Sequence, residues 1–163
     1  MRLLFLDIDG VLTTTVSPLE LVPSCVQRLQ NVLTVSGARL VLSSSWRIEG
    51  IGADSEFQIR LKRVCREMDG HSGRFEDIVR RLHGATSSLP DQRRQDEIEE
   101  YVGRHEPDRF AAVDDWVHDF TVPPPPWLVL TDPDSGLDEA AEKSLLEILA
   151  DGALSSARGA ARR

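Results

Sequence analysis

The sequence predicts an α/β fold built on a doubly wound, mostly parallel five-stranded sheet, and three observations carry that prediction. Short apolar runs of strand length alternate with longer segments of helical periodicity. The clearest runs, at residues 3–6, 40–42 and 110–113, are apolar without interruption, as expected of strands covered on both faces. Each ends in polar or acidic residues: Asp7 and Asp9, then Ser43, Ser44 and Ser45, then Asp114 and Asp115. In open α/β sheets, ligands bind beyond the C-terminal ends of strands, so these clusters are expected to converge.

Taken in order, Arg2–Leu6 reads as a buried central strand that delivers its carboxylates at Asp7-Ile8-Asp9-Gly10. Pro23 can start a helix in which Val26, Leu29 and Leu33 recur at helical spacing, and Gly37 can close it. Arg39–Leu42 is the second strand and leads into Ser43-Ser44-Ser45-Trp46-Arg47. Residues 54–68 follow helical spacing through Phe57, Leu61 and Val64, with a turn-rich exit at 69–73. Periodicity does not decide between strand and helix for Ile78, Val79 and Leu82, because the stretch is too short.

Residues 91–104 read as a charged helix and 109–113 as a strand ending in Asp114-Asp115. The prolines at 123–126 make a stiff spacer that cannot join a central sheet, and they lead to an edge strand at 127–130. Residues 137–149 close the fold as a helix with Leu145, Ile148 and Leu149 facing inward. One domain over 1–152 is expected, with 153–163 as a disordered tail that has little to bury. A chain of 163 residues can bury roughly 70% of the surface it exposes when unfolded, enough for one real core.

A net charge of −8 argues against broad binding along a nucleic-acid backbone, which needs a surplus of Lys and Arg on one face. Cys25 and Cys65 have no CxxC spacing and read as partly buried helical thiols. His71, His83, His105 and His118 share no ligand spacing, so no zinc site is expected. The apolar run before Asp7 is too short for a signal segment, and no stretch approaches the ~20 apolar residues of a membrane span. The cytoplasm is the default location, with no membrane partner.

A sharp turn at Gly10 lets Asp7 and Asp9 enter one cleft from different angles, and Asp114 and Asp115 bring further negative charge to it. Four carboxylates around one spot are costly unless a cation holds them. Hard oxygen ligands of this kind suit Mg²⁺, with waters and a substrate phosphate completing the shell. Asp7, Asp9, Asp114 and Asp115 are therefore the candidate metal residues.

The apolar strand followed by Asp7-Ile8-Asp9-Gly10-Val11 resembles the first motif of the haloacid dehalogenase (HAD) superfamily. The resemblance implies a HAD-like Rossmannoid fold and an Mg²⁺-dependent phosphomonoester hydrolase. It makes Asp7 the nucleophile that becomes an aspartyl phosphate and Asp9 the group that protonates the leaving oxygen and later activates water. The Asp7 side chain and the Asp9 backbone carbonyl would also ligate the metal. Ser44 matches the hydroxyl of the second motif, with Ser43, Ser45 and Arg47 as substrate-binding candidates.

The third motif is normally a lysine, and here the sequence departs from the pattern: Lys62 and Lys143 lie elsewhere, and Arg94 stands in that place. An arginine fork can do the same electrostatic work. Residues 110–115 match the fourth motif, with Asp119 as a weaker candidate ligand. Trp46 and Trp116 read as packing residues.

The segment Leu40-Val41-Leu42-Ser43-Ser44-Ser45-Trp46-Arg47, together with Arg94-x-x-Glu97-Ile98, Leu130-Thr131-Asp132 and Gly136-Leu137, is similar to small bacterial and viral HAD domains also found fused in RNA-repair proteins. That similarity implies a phosphorylated substrate: a small molecule, a nucleotide or a nucleic-acid end. Only residues 13–22 and 47–88 are available for a cap, so a minimal cap or none is expected. A phosphotransferase or phosphomutase would share every residue named. A catalytically weak binding or regulatory module is the alternative from a different class, made plausible by the missing lysine. A receiver-type phosphoacceptor domain would lack the Asp-x-Asp-Gly start.

Overall fold

The computed structural model describes residues 1–49, 51–70, 73–87 and 92–150. Strands β1 (Arg2–Leu6), β2 (Arg39–Leu42), β3 (Leu82–Ala85), β4 (Arg109–Asp114) and β5 (Leu128–Leu130) form one sheet in the order β3-β2-β1-β4-β5. All four strand pairings are parallel, so the expected mostly parallel sheet is wholly parallel. The helices are α1 (Pro23–Ser36), α2 (Glu56–Asp69), α3 (Gly73–Arg80), α4 (Arg94–His105) and α5 (Glu139–Leu149).

Side-chain alternation along the strands divides the apolar residues between two cores. Leu4, Leu6, Leu40, Leu42, Ala111 and Val113 join the larger core, which packs against α1, α2, α3 and α5. Leu3, Phe5, Val41 and Ala112 face the other way, onto Ile98 and Tyr101 of α4 and onto Phe120. Helices on both faces explain why the central strands read as unbroken apolar runs instead of alternating ones.

Local chemistry sets the helix ends. Pro23 occupies the first turn of α1, where its missing N–H costs nothing, and Gly37 ends it at φ 67° with its N–H bonded to the Leu33 carbonyl. Ser55 caps α2 by accepting from the Gln58 N–H, and Asp138 caps α5 by accepting from the Ala141 N–H at 2.8 Å.

The ambiguous stretch around Ile78 contains both of the elements it suggested. Ile78 is the buried residue of α3, and Leu82 opens β3 immediately afterwards. The strand is hard to read because it is a half-buried edge carrying His83 and Gly84. Gly84 has a packing reason: a Cβ there would lie 2.6 Å from the Tyr101 hydroxyl of α4. Helix α2 sends Phe57, Leu61, Val64 and Cys65 into the main core, so it belongs to the sheet's own layers and not to a cap. The tail at 153–163 lies outside the described residues, among which no helix is long and apolar enough to cross a membrane.

The chain runs outward from β1 through β2 to β3, then returns through α4 to β4 on the other side of β1. Strand order therefore reverses between β1 and β4, and the crevice at their C-terminal ends is the expected ligand position.

Leu145 is fully buried between α5 and the sheet, whereas Val35 on α1 is 64% exposed. Leu145→Ala is expected to lower unfolding free energy by about 2–5 kcal/mol and Val35→Ala by no more than about 0.5 kcal/mol, measured by urea denaturation.

Candidate active site

Parallel pairing continues one residue past each strand end, and that continuation places the site. The Asp7 N–H donates to the Val113 carbonyl at 3.0 Å, Ser43 to Leu6 at 2.8 Å, Thr86 to Leu42 at 2.9 Å and Thr131 to Asp114 at 3.0 Å. A row of polar side chains thus crosses the top of the sheet, its backbone fixed by the same ladder that fixes the core. Asp7, Ser43, Thr86 and Thr131 are all buried.

After Asp7 the chain turns tightly. The N–H groups of Val11, Leu12 and Thr13 all converge on the Ile8 carbonyl at 2.8–3.2 Å, and the Gly10 N–H donates to the Thr13 hydroxyl at 3.3 Å. Gly10 sits at φ 67°, a conformation that disfavours side chains, and an added Cβ would lie 2.2 Å from an Asp115 oxygen. The glycine of the Asp-x-Asp-Gly sequence is therefore what lets the β4 acids close onto β1. Thr131 ties the turn to β5 by donating from its hydroxyl to the Gly10 carbonyl at 2.8 Å.

One carboxylate oxygen from each of Asp7, Asp114 and Asp115 lies within 4.8 Å of the others. Burial and the neighbouring Asp114 raise the Asp7 pKa from 3.8 to about 7, against the lowering effect of Arg94 and the Ser44 hydroxyl. Burial likewise lifts Asp114 to about 6, although its Oδ1 accepts the Trp116 N–H at 2.8 Å. Asp115 is also raised, mainly by burial, with Asp9 adding to the effect. Like charges out of water resist ionising together. A hard divalent cation is the partner that three converging carboxylates fit, since it supplies the missing positive charge and accepts oxygen donors alone.

Asp9 stands apart from that trio. Its carboxylate is exposed and receives the Trp46 indole N–H at 3.2 and 3.1 Å from its two oxygens. Trp46 also packs against the main core, so packing describes half of its role. Trp116 differs from the packing expectation: its ring is 58% exposed, and the residue contributes its backbone N–H to Asp114. Asp119 adds like charge near Asp114 but is not one of the converging three.

Arg94 opens α4, and its Nε lies 3.7 Å from Asp114 Oδ2. Its Nη1 is buried with no hydrogen-bond partner among the described residues. Ser44 is fully buried and its hydroxyl lies close enough to Asp7 to lower its pKa, which separates it from Ser43, bonded by Thr86 at 3.4 Å, and from the exposed Ser45.

Arg47 is committed to an internal ion pair. Its Nη2 donates to both Glu97 oxygens at 2.8 Å and to the Ser87 carbonyl at 3.0 Å, while Nη1 reaches the Ser44 carbonyl. The two side chains are 7% and 5% exposed. Glu97 is thus a structural partner of the serine loop, a role that Arg94-x-x-Glu97 in sequence did not reveal. Burial pushes the Glu97 pKa up, and Arg47, Arg94 and Thr86 pull against it.

A protein-family model described as the HAD domain in Swiss Army Knife RNA repair proteins matches residues 3–141. No curated protein and no solved structure gave a match.

Two substitutions test this framework. Gly10→Ala is expected to cost at least about 1–2 kcal/mol from the left-handed backbone alone and to displace Asp115, read as a lowered denaturation midpoint. Arg47→Ala strands a buried Glu97 and is expected to cost about 3–5 kcal/mol, whereas replacing both partners with Met costs less; chemical denaturation of the three proteins decides it.

Proposed function

Because the chain belongs to the family of HAD domains found in Swiss Army Knife RNA repair proteins, we propose that it is an Mg²⁺-dependent phosphomonoester hydrolase acting through an aspartyl phosphate on Asp7. The observation that carries this reading is the meeting of Asp7 with Asp114 and Asp115 at the switch point of a parallel sheet, with Ser44 and Arg94 beside them. The side chains of Asp7, Asp114 and Asp115 and the Asp9 backbone carbonyl would hold the metal. Bound there, Mg²⁺ would neutralise the acids and draw charge from the phosphoryl oxygens.

The chain's own residues then divide the work. Asp7 attacks phosphorus as the ester bond breaks, and Asp9 gives its proton to the leaving oxygen. Asp9 next takes a proton from water as that water attacks phosphorus and frees Asp7. Ser44 donates to the phosphoryl group, and Arg94 spreads the growing negative charge with the Nη1 hydrogens that have no partner among the described residues. Ser43 and Ser45 flank this pocket, and Arg47 contributes its positive charge close to Asp7 while its fork stays on Glu97.

With no cap layer among the described residues, the site suits bulky phosphoesters. The RNA-repair context of the family favours nucleotides and polynucleotide ends over metabolite-sized esters.

The decisive measurement is a screen of phosphomonoesters that includes 3′- and 5′-phosphorylated oligonucleotides, run with Mg²⁺ and with EDTA. Turnover is expected only with Mg²⁺, none in Asp7→Asn, and a loss of ~100-fold or more in Arg94→Ala. Undiminished turnover by Asp7→Asn would refute the nucleophile, and absence of turnover on every ester would favour a binding module.

Metal binding also has a pH signature. The folded-state pKa values of Asp7 and Asp114 are raised, so their protonated forms stabilise the metal-free fold at low pH, and that contribution is lost as pH climbs from about 4 towards 7. Protons and the cation compete for the same oxygens. The Mg²⁺-induced rise in Tm is therefore expected to be larger at pH 7.5 than at pH 5, and an equal rise at both would count against this ligand set.

A further inference from the structure

We propose that Trp46 is a positioning residue that holds Asp9 in place for leaving-group protonation, at the head of a groove that receives the leaving group. The inference rests on the reading of Asp9 as acid and base, and adds a device to it that none of the motifs supplies.

Asp9 needs such a device because it is exposed at the tip of a turn and stands outside the convergent trio. An exposed carboxylate on a short side chain rotates freely, and rotation lowers the fraction of encounters in which its proton faces the ester oxygen. The Trp46 indole N–H, at 3.2 and 3.1 Å from the two oxygens, fixes the plane of the carboxylate. An indole has one donor and no acceptor, so it occupies a single direction at each oxygen and leaves a second lone pair open for the transferred proton.

The tryptophan is itself held. Its backbone N–H reaches the Ser44 hydroxyl at 3.4 Å, its ring packs on the main core, and the Arg60 guanidinium lies 5.2 Å from the ring centroid. Arg60 is anchored in turn on Glu56, one helical turn earlier. One short turn therefore serves both carboxyls: Ser44 stands beside Asp7, and Trp46, two residues on, donates to Asp9. Asp9, Trp46, Ser45, Arg60, Pro18 and Leu19 line an open groove of about 650 Å³. Its walls combine apolar side chains with the Arg60–Glu56 ion pair and begin at the proton donor, which is where the alcohol must sit when the P–O bond breaks.

In the first half-reaction the Asp7–phosphorus bond forms, the phosphorus–alkoxide bond breaks, and the Asp9 proton moves to the departing oxygen. An alkyl phosphate depends on that proton, whereas p-nitrophenolate leaves without it. Trp46→Phe keeps an aromatic ring at this position and removes the N–H together with the pyrrole half of the indole. For this variant, kcat/KM with an alkyl phosphate is expected to fall about tenfold further than kcat/KM with p-nitrophenyl phosphate, a part of the 10²–10⁴-fold that general acid catalysis contributes. An equal fall on both esters would mark a merely structural tryptophan and overturn the proposal, as would no fall on either.

Asp9→Asn, run alongside, separates the two levels. If it shows no leaving-group dependence, the acid assignment fails and takes the positioning role with it. A readout independent of turnover is the indole ¹⁵N–¹H spectrum of the full chain. Asp9→Ala is expected to move the Trp46 signal more than those of Trp116 and Trp127, and an unmoved Trp46 signal overturns the contact.

Discussion

Mutual repulsion among three converging carboxylates, two buried and one half-buried, is the constraint on which the rest of this structure depends. Asp7 and Asp114 end adjacent parallel strands, so the sheet's own register forces them together, and Asp115 follows through the Gly10 turn. Nothing in the apolar core favours that arrangement. Arg94, the Ser44 hydroxyl and the Trp116 N–H offset part of the cost, yet Asp7 and Asp114 still hold their protons well above the usual carboxylate range. A fold that keeps such a cluster concentrates negative charge where a divalent cation and a phosphoryl group can use it.

Around that cluster the supporting contacts are backbone-rich and rigid. Hydrogen bonds carry the parallel ladder past the strand ends into Asp7, Ser43, Thr86 and Thr131, so the polar rim inherits the precision of the core. The Arg47–Glu97 pair bridges the serine loop to α4, the helix that also presents Arg94. The serine loop beside Asp7 and the helix that presents Arg94 are thus joined by one buried ion pair. Removing either partner leaves a desolvated charge, and the loop would lose its register with the site.

Asp9 is treated differently from the other acids, and the contrast fits a division of labour. Asp7 is buried with an elevated pKa, whereas Asp9 is solvent-facing and meets an indole N–H. Environment separates two carboxylates two residues apart into one buried and one facing solvent, the contrast that the proposed roles of nucleophile and proton donor call for. The open groove beside Asp9, with Arg60 and Trp46 on its wall, extends this asymmetry outward to the surface.

Much of this was legible in the sequence because it follows from local rules. Unbroken apolar runs gave the central strands, Pro23 and Gly37 bounded α1, and acids at the ends of β1 and β4 pointed to one crevice. The edge was less legible, since β3 is short, half-buried and interrupted by Gly84, whose reason is the Tyr101 hydroxyl on a distant helix. Tertiary structure alone decided that Asp9 stands apart from the carboxylate trio and meets Trp46, that Arg47 pairs with Glu97, and that Gly10 makes room for Asp115. Each of these depends on which side chains meet across 37, 50 or 105 residues of chain, and no periodicity encodes such meetings. Sequence determined which residues could do chemistry; packing determined which of them touch.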